Sequence, residues 1–234
     1  MAIWKARNRL LFDNRAPSLR QVSCSVKAWI MHIGPYIPGD AIGTVDRQLL
    51  STLGVAPLPR KCQGSCMVIW HPPLSPWLKL NTDGLAKGNP GPAACGGVFR
   101  NAKGLYQGGF CQGIGVQTSF HAELLAIIIG IDLAFKKGWY YLWLESDSMS
   151  VLQCIFSQIF EPPWSLRTRW LNCLSQMRSM DIRCSHIYRE GNTVADSMAN
   201  LGLSSSSLKW FASPPPVIWL PLHFDTVGLP YQRG

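Results

Sequence analysis

Four carboxylates occupy four separated contexts in this chain: Asp83 in LKLNTDGLAKGNPGP, Glu123 in SFHAELLAIIIG, Asp147 in YYLWLESDSMSVL and Asp196 in REGNTVADSMANL. Three of them lie inside or beside apolar runs that read as core strands or a core helix. An ionised group taken out of water there costs several kcal/mol unless something compensates it. No Lys or Arg is placed by sequence to pair with all four. Divalent metal is the economical compensation, and a cluster of Asp and Glu oxygens suits Mg²⁺ or Mn²⁺. Each acid also has a plain structural role open to it. Asp147 can cap the helix that follows it, Asp196 can complement a helix dipole, and Asp83-Gly84 can be only a turn. Glu123 is the hardest to explain that way, because an acid on a packed stripe needs a partner. Taken together, the four point to an enzyme.

The elements that must position these acids follow from period and punctuation. Leu78, Leu80 and Thr82 alternate with Lys79, Asn81 and Asp83, which predicts a strand broken at Asp83-Gly84. A second strand is expected over 93–100, a tight hairpin at 101–104 and a third strand over 105–113. Thr118 or Ser119 starts a helix that Gly138 stops, with Lys136 and Lys137 at its favourable end. Glu123 shares a stripe of that helix with Ala126, Ile127, Gly130 and Ala134, small enough for close approach to a sheet. The apolar run 139–145 reads as a strand buried on both faces, with Asp147 leaving its C-terminal end. Helices over 148–160 and 166–180, a strand over 182–189 and a last helix over 193–203 complete the order βββαβααβα. This is an α/β fold, a mixed five-stranded sheet with helices on both faces. Asp83 and Asp147 become neighbours if the first and fourth strands pair.

The flanks differ in composition. Residues 1–33 read as a basic, helical N-terminal segment, 34–76 as a Pro/Gly-rich linker, 77–203 as the compact domain and 204–234 as a Ser/Pro-rich tail. The net charge is +9, and residues 1–73 alone hold nine Lys or Arg against Asp13, Asp40 and Asp46. Basic flanks beside a nearly neutral domain fit a polyanionic partner such as nucleic acid. At 47% hydrophobic and 15% charged residues, wholesale disorder is excluded. No run approaches the roughly 18–20 apolar residues that cross a bilayer, so no membrane association is expected. The eight cysteines are scattered as free thiols of a reducing compartment. Cys62 and Cys66 have no second ligand pair at zinc-site spacing.

The segments NTDGLAKGNPGPAACGGVFRN, HAELLAIIIGIDLA, LESDSMSVL and REGNTVADSMANLG, in this order, resemble the ribonuclease H domain of plant non-LTR retrotransposon polyproteins. The resemblance covers residues 77–203, and IWKARN near the start resembles the segment preceding that domain. It implies a piece of a larger ancestral reading frame without its reverse-transcriptase segment. It also implies a metal-dependent endonuclease, a monomer, that hydrolyses the RNA strand of RNA–DNA hybrids with two Mg²⁺ ions (or Mn²⁺). The catalytic and metal-binding residues carried over are Asp83, Glu123, Asp147 and Asp196. Asp83 would bridge, Glu123 and Asp147 would hold one ion, and Asp196 the second. Two metals about 3.5–4 Å apart suit in-line phosphoryl displacement. Gly84, Asn89 and Ser119 are the implied substrate-binding residues, reading an A-like duplex through backbone and 2′-hydroxyl groups.

Three departures stand out. Phe120 replaces a minor-groove Asn, so Ser119 substitutes or Phe120 stacks. Met149 occupies a polar phosphate-contacting position. The stretch 189–192 is short and lacks a mobile His-bearing loop, with His186 read as an ordinary strand residue and His121 as a weaker candidate beside Glu123. The alternative to an active nuclease is a weak or inactive nucleic-acid-binding relic. An exonuclease of the wider superfamily is disfavoured because Leu85 stands where its D-x-E pair requires an acid. Nuclear and cytoplasmic locations both fit.

Overall fold

The computed structural model describes residues 67–156 and 160–233, together with Ser18, Arg20, Ser23, Cys24 and Val26. Apart from those five positions, the expected N-terminal helices and the linker up to residue 66, Cys62 and Cys66 included, lie outside the described residues. The chain divides into two compact units, Met1–Gly64 and Ser65–Gly234, and every element below belongs to the second.

That unit is built on β1 (Met67–Val68), β2 (Leu78–Ala86), β3 (Gly91–Arg100), β4 (Tyr106–Gln117), α1 (Ser119–Lys136), β5 (Tyr141–Ser146), α2 (Met149–Phe156), α3 (Arg167–Met177), β6 (Asp181–His186), α4 (Thr193–Gly202), β7 (Lys209–Phe211), α5 (Trp219–Thr226) and β8 (Tyr231–Gln232). Six strands form one mixed sheet in the order β6-β5-β2-β3-β4-β7, with β5 parallel to both β2 and β6 and the remaining pairs antiparallel. The expected order βββαβααβα is present within it. Thr118 caps α1 as its period predicts: its Oγ1 accepts from the His121 N–H at 3.2 Å, and Gly138 follows the helix at φ +72°.

Strand alternation gives the sheet two different cores. On the face of Leu80 and Thr82, α1 lies across the centre, with Leu80, Cys95, Phe99, Leu142 and Leu144 buried in the same core and α3 packed on α1. This explains why α1 is apolar nearly all round: the sheet covers one side and α3 the other. On the opposite face α4 packs with Val98, Cys111, Val194 and Met198, joined by Ile218 from the C-terminal segment.

Three expectations are corrected. The strand is not broken at Asp83-Gly84 but runs on to Ala86 in register with Ala93–Gly96 of β3. Gly84 is there because α1 crosses so closely that a Cβ would lie 2.1 Å from the Glu123 nitrogen. The boundary at residue 77 is too late, since Trp70 is 1% exposed and belongs to this unit. Finally, residues beyond 203 are more than a Ser/Pro-rich tail. They add β7 as a sixth strand beside β4, place α5 with Asp225 buried, and pair β8 with β1. The helix expected over 148–160 is observed as α2 up to Phe156, with residues 157–159 outside the described set. Among the described residues, no helix is long and apolar enough to cross a membrane.

Candidate active site

The register of β2 and β5 decides where the acids meet. Thr82 pairs with Ser146, so Asp83 and Asp147 leave neighbouring parallel strands side by side. Ser146 Oγ accepts from the Ser148 N–H at 3.1 Å and shapes the turn that releases Asp147. Glu123 arrives from the first turns of α1, which Gly84 lets approach. Asp83, Glu123 and Asp147 each offer a carboxylate oxygen within 4.8 Å of the others. Asp196, in the first turn of α4, stands outside this group. Its Oδ1 lies 3.6 Å from Arg189 Nη2, and its Oδ2 accepts from Asn200 Nδ2 at 3.1 Å.

Burial and mutual repulsion both act on the three grouped acids. Burial, then the charges of Asp147 and Asp196, push Asp83 up to about 7. Burial, then Asp83 and Asp147, push Glu123 up to about 10. Asp147 is also raised, chiefly by burial, while a hydrogen bond from Asn192 opposes the rise. The Gly84 N–H, close to both carboxylates, favours the ionised forms of Asp83 and Glu123. Glu123 Oε2 is buried without a hydrogen-bond partner. An orphaned carboxylate oxygen among converging hard oxygen donors fits a divalent cation of the Mg²⁺ class.

The implied substrate residues are placed unequally. Asn89 and Ser119 are both exposed, and Asn89 Oδ1 accepts from the Ser119 N–H at 3.2 Å, so the β2–β3 turn is tied to the start of α1. Gly84 is buried beneath α1 rather than open to a ligand. Phe120 packs edge-on against Phe160 with centroids 6.2 Å apart, so its ring is engaged within the protein. Met149 is 49% exposed. His121 is buried, which holds its imidazole toward the neutral form.

Two residues were missed or set aside in the sequence. Asn192 reads only as a helix cap, yet it is 2% exposed and its Nδ2 donates to Thr82 O at 2.9 Å and to Asp147 Oδ1 at 3.3 Å. Nothing in the sequence around Asn192 marks its closeness to Asp147. His186 reads as a strand residue, but its ring is exposed at the end of β6, with Nε2 3.2 Å from the Asp147 carbonyl oxygen. It also meets Tyr188 edge-on.

Comparison with known proteins places this arrangement among relatives. The model of the reverse transcriptase-like family matches residues 81–202. An Arabidopsis thaliana protein provisionally named a ribonuclease H protein is 35% identical over 164 residues, which is 69% of this chain and 26% of that protein. This chain therefore spans about a quarter of that relative. Ribonuclease HI of Halobacterium salinarum is 30% identical over 127 residues, covering 53% of this chain and 63% of the relative. Among solved structures, the N-terminal RNase H domain of a Mycobacterium tuberculosis protein, fused to maltose-binding protein, aligns with a TM-score of 0.50 at 28% identity, over 54% of this chain and 93% of that one.

Proposed function

Because this chain belongs to the reverse transcriptase-like family and shares the ribonuclease H fold, we propose that it is a metal-dependent endonuclease hydrolysing the RNA strand of RNA–DNA hybrids. The observation that carries the reading is the set of three carboxylates from three elements within 4.8 Å of one another, with no basic side chain bonded to any of them among the described residues. Asp83, Glu123 and Asp147 would hold one Mg²⁺, and Asp83 with Asp196 a second. Such ions supply a water ionised at neutral pH and charge stabilisation for the leaving oxygen.

The chain's own groups do the rest. Asn192 orients Asp147, and the Gly84 N–H holds Asp83 and Glu123 toward their ionised forms. Asn89 and Ser119, exposed at the start of α1, are placed to meet backbone phosphate and 2′-hydroxyl groups. Gly84 serves the substrate only by keeping α1 close. Arg189, with its side chain 79% exposed beside Asp196, is free to turn to a phosphate once a cation takes that carboxylate.

One observation favours the alternative of a weak or inactive nucleic-acid-binding relic: Asp196 is paired with Arg189 and stands apart from the other acids. The deciding experiment incubates the full chain with a fluorescent RNA–DNA hybrid, a double-stranded RNA and a single-stranded RNA, each with Mg²⁺ or EDTA. The nuclease reading expects cleavage of the hybrid's RNA strand in Mg²⁺ alone. Hybrid binding without cleavage in either condition selects the relic.

A further inference from the structure

Behind the acid site, β2 carries a second set of buried charges. Lys79 Nζ donates to Glu145 Oε1 at 3.0 Å, and Arg100 is paired with Asp225. Both cations lie against aromatic faces: Lys79 is 4.0 Å from the Trp143 centroid and Arg100 3.5 Å from that of Trp70. Between the two ion pairs sits the fully buried Asn81. Its Oδ1 accepts from Arg100 Nη2 at 2.7 Å and from Trp70 Nε1 at 3.1 Å. Its Nδ2 donates to Glu145 Oε2 at 3.0 Å and to Asn192 Oδ1 at 3.3 Å.

A guanidinium and an indole are donors only, and an ionised carboxylate is an acceptor only. An amide held between them has one satisfactory orientation. Asn81 must present its NH₂ toward Asn192, so Asn192 must answer with its oxygen. That leaves the Asn192 NH₂ facing Thr82 O and Asp147 Oδ1. If Asn81 were turned over, Asn192 would rotate with it and set its own oxygen against two acceptors.

We propose that Asn81 is a positioning residue that, polarised by the Arg100–Asp225 and Lys79–Glu145 pairs, fixes the Asn192 amide so that its NH₂ faces Thr82 O and the Asp147 carboxylate. Much of this device lies outside the matched family segment of residues 81–202. Trp70 and Lys79 precede it. Asp225 comes from α5, where Tyr231 of β8 donates to its Oδ1 at 2.8 Å. The C-terminal segment thereby supports the active site through four side chains in series. Outer partners of metal-binding groups are typically worth about 10–100-fold in metal affinity or activity.

The kinetic half of the test rests on the nuclease reading; the structural half does not. In the full chain, Asn81→Asp combined with Glu145→Gln moves one carboxylate between neighbouring sites at constant net charge and nearly constant shape. The carboxylate introduced in place of the Asn81 amide offers only oxygen to Asn192 and reverses the relay. The half-saturating Mg²⁺ concentration for hybrid cleavage rises about tenfold or more, while the rate at saturating Mg²⁺ is largely retained. The Asn192 side-chain amide resonances, read by ¹⁵N NMR, shift as well. A folded double variant with unchanged Mg²⁺ dependence and unchanged Asn192 resonances overturns the proposal. If that variant does not melt cooperatively, Arg100→Met with Asp225→Leu replaces the ion pair by apolar groups, an exchange that is often neutral for stability. The same two readouts then shift in the same direction, and unchanged readouts overturn it there. If the unmodified chain fails to cut the hybrid, the nuclease reading fails alone and the Asn192 resonances decide the relay.

Discussion

Two groups of charge lie along β2, and they are treated in opposite ways. Lys79, Glu145, Arg100 and Asp225 are matched cation to anion, roofed by Trp70 and Trp143, and bridged by Asn81. Asp83, Glu123 and Asp147 lie a few residues further along with like charges converging and one carboxylate oxygen left without a partner. The first group's charges are all paired within the chain, with only Arg100 Nε left without a hydrogen-bond partner, so most of its desolvation is offset internally. The second has its compensation left to come from outside, which is how a binding site differs from a structural one. All four matched charges are buried, whereas of the acids Asp83 is buried and Glu123 and Asp147 half-buried; the partner is the larger difference.

Breaking each group should therefore give different symptoms. The largest effect is expected in the unmatched group: Asp147→Asn lowers hybrid cleavage by about 10³-fold or more, since a bound metal supplies several kcal/mol of transition-state stabilisation. Duplex affinity is largely retained. A gel assay with labelled RNA measures the rate, and retained cleavage would remove Asp147 from the site. In the matched group, Arg100→Met alone leaves Asp225 buried and unpaired, with an expected loss of about 3–5 kcal/mol of stability. Urea denaturation reads this, and a loss below about 1 kcal/mol would mean that solvent reaches Asp225. Next comes metal: Mg²⁺ at 100 times its dissociation constant adds about 2.7 kcal/mol, or roughly 5–10 °C in Tm for a domain of this size. An unmoved Tm in millimolar Mg²⁺ would contradict a cation site among the acids.

The unmatched group was the more legible in the sequence, for a physical reason. An acid beside LAIIIG or after YYLWLES stands out because the neighbouring residues announce burial that a carboxylate resists. The closeness of Asp83 and Asp147 is expected only if the first and fourth strands pair, and β2 and β5 do pair. The matched group gave no such signal. Lys79 and Asn81 alternate with Leu78 and Leu80, the pattern of a strand with one wet face. That face is dry because Trp70 and α5 cover it, and both lie in stretches whose composition reads as linker and tail. β7 is three residues long and α5 contains Pro221, so neither carries the period of a regular element. Gly84 misled in another way: Asp-Gly reads as a turn, but here the glycine admits α1 to the sheet. Asn192 and His186 needed the register of β5 and β6 before their closeness to Asp147 could be seen.

The smallest effect sharpens the comparison through pH. Without metal, Asp83 is pushed up to about 7 and Glu123 to about 10, both by burial and by neighbouring acids. An acid whose folded pKa exceeds its unfolded value binds protons more tightly in the folded state. Its stabilising contribution is complete below the ordinary carboxylate range near 4 and is lost as pH rises through the folded value. In EDTA, stability attributable to this group should therefore fall steadily from about pH 5 to pH 8. Asp83→Asn removes one titrating charge and one repulsion on Glu123, so the variant's melting temperature exceeds that of the unmodified chain by an amount that grows with pH. Mg²⁺ opposes the trend, because it binds the ionised acids and its stabilising shift increases over the same interval. Calorimetric scans of both chains at pH 5, 6.5 and 8, with EDTA and with Mg²⁺, read all four slopes. A difference between the two chains that stays constant with pH in EDTA would show that Asp83 is already ionised at pH 5, with its charge compensated from within as in the Arg100–Asp225 pair.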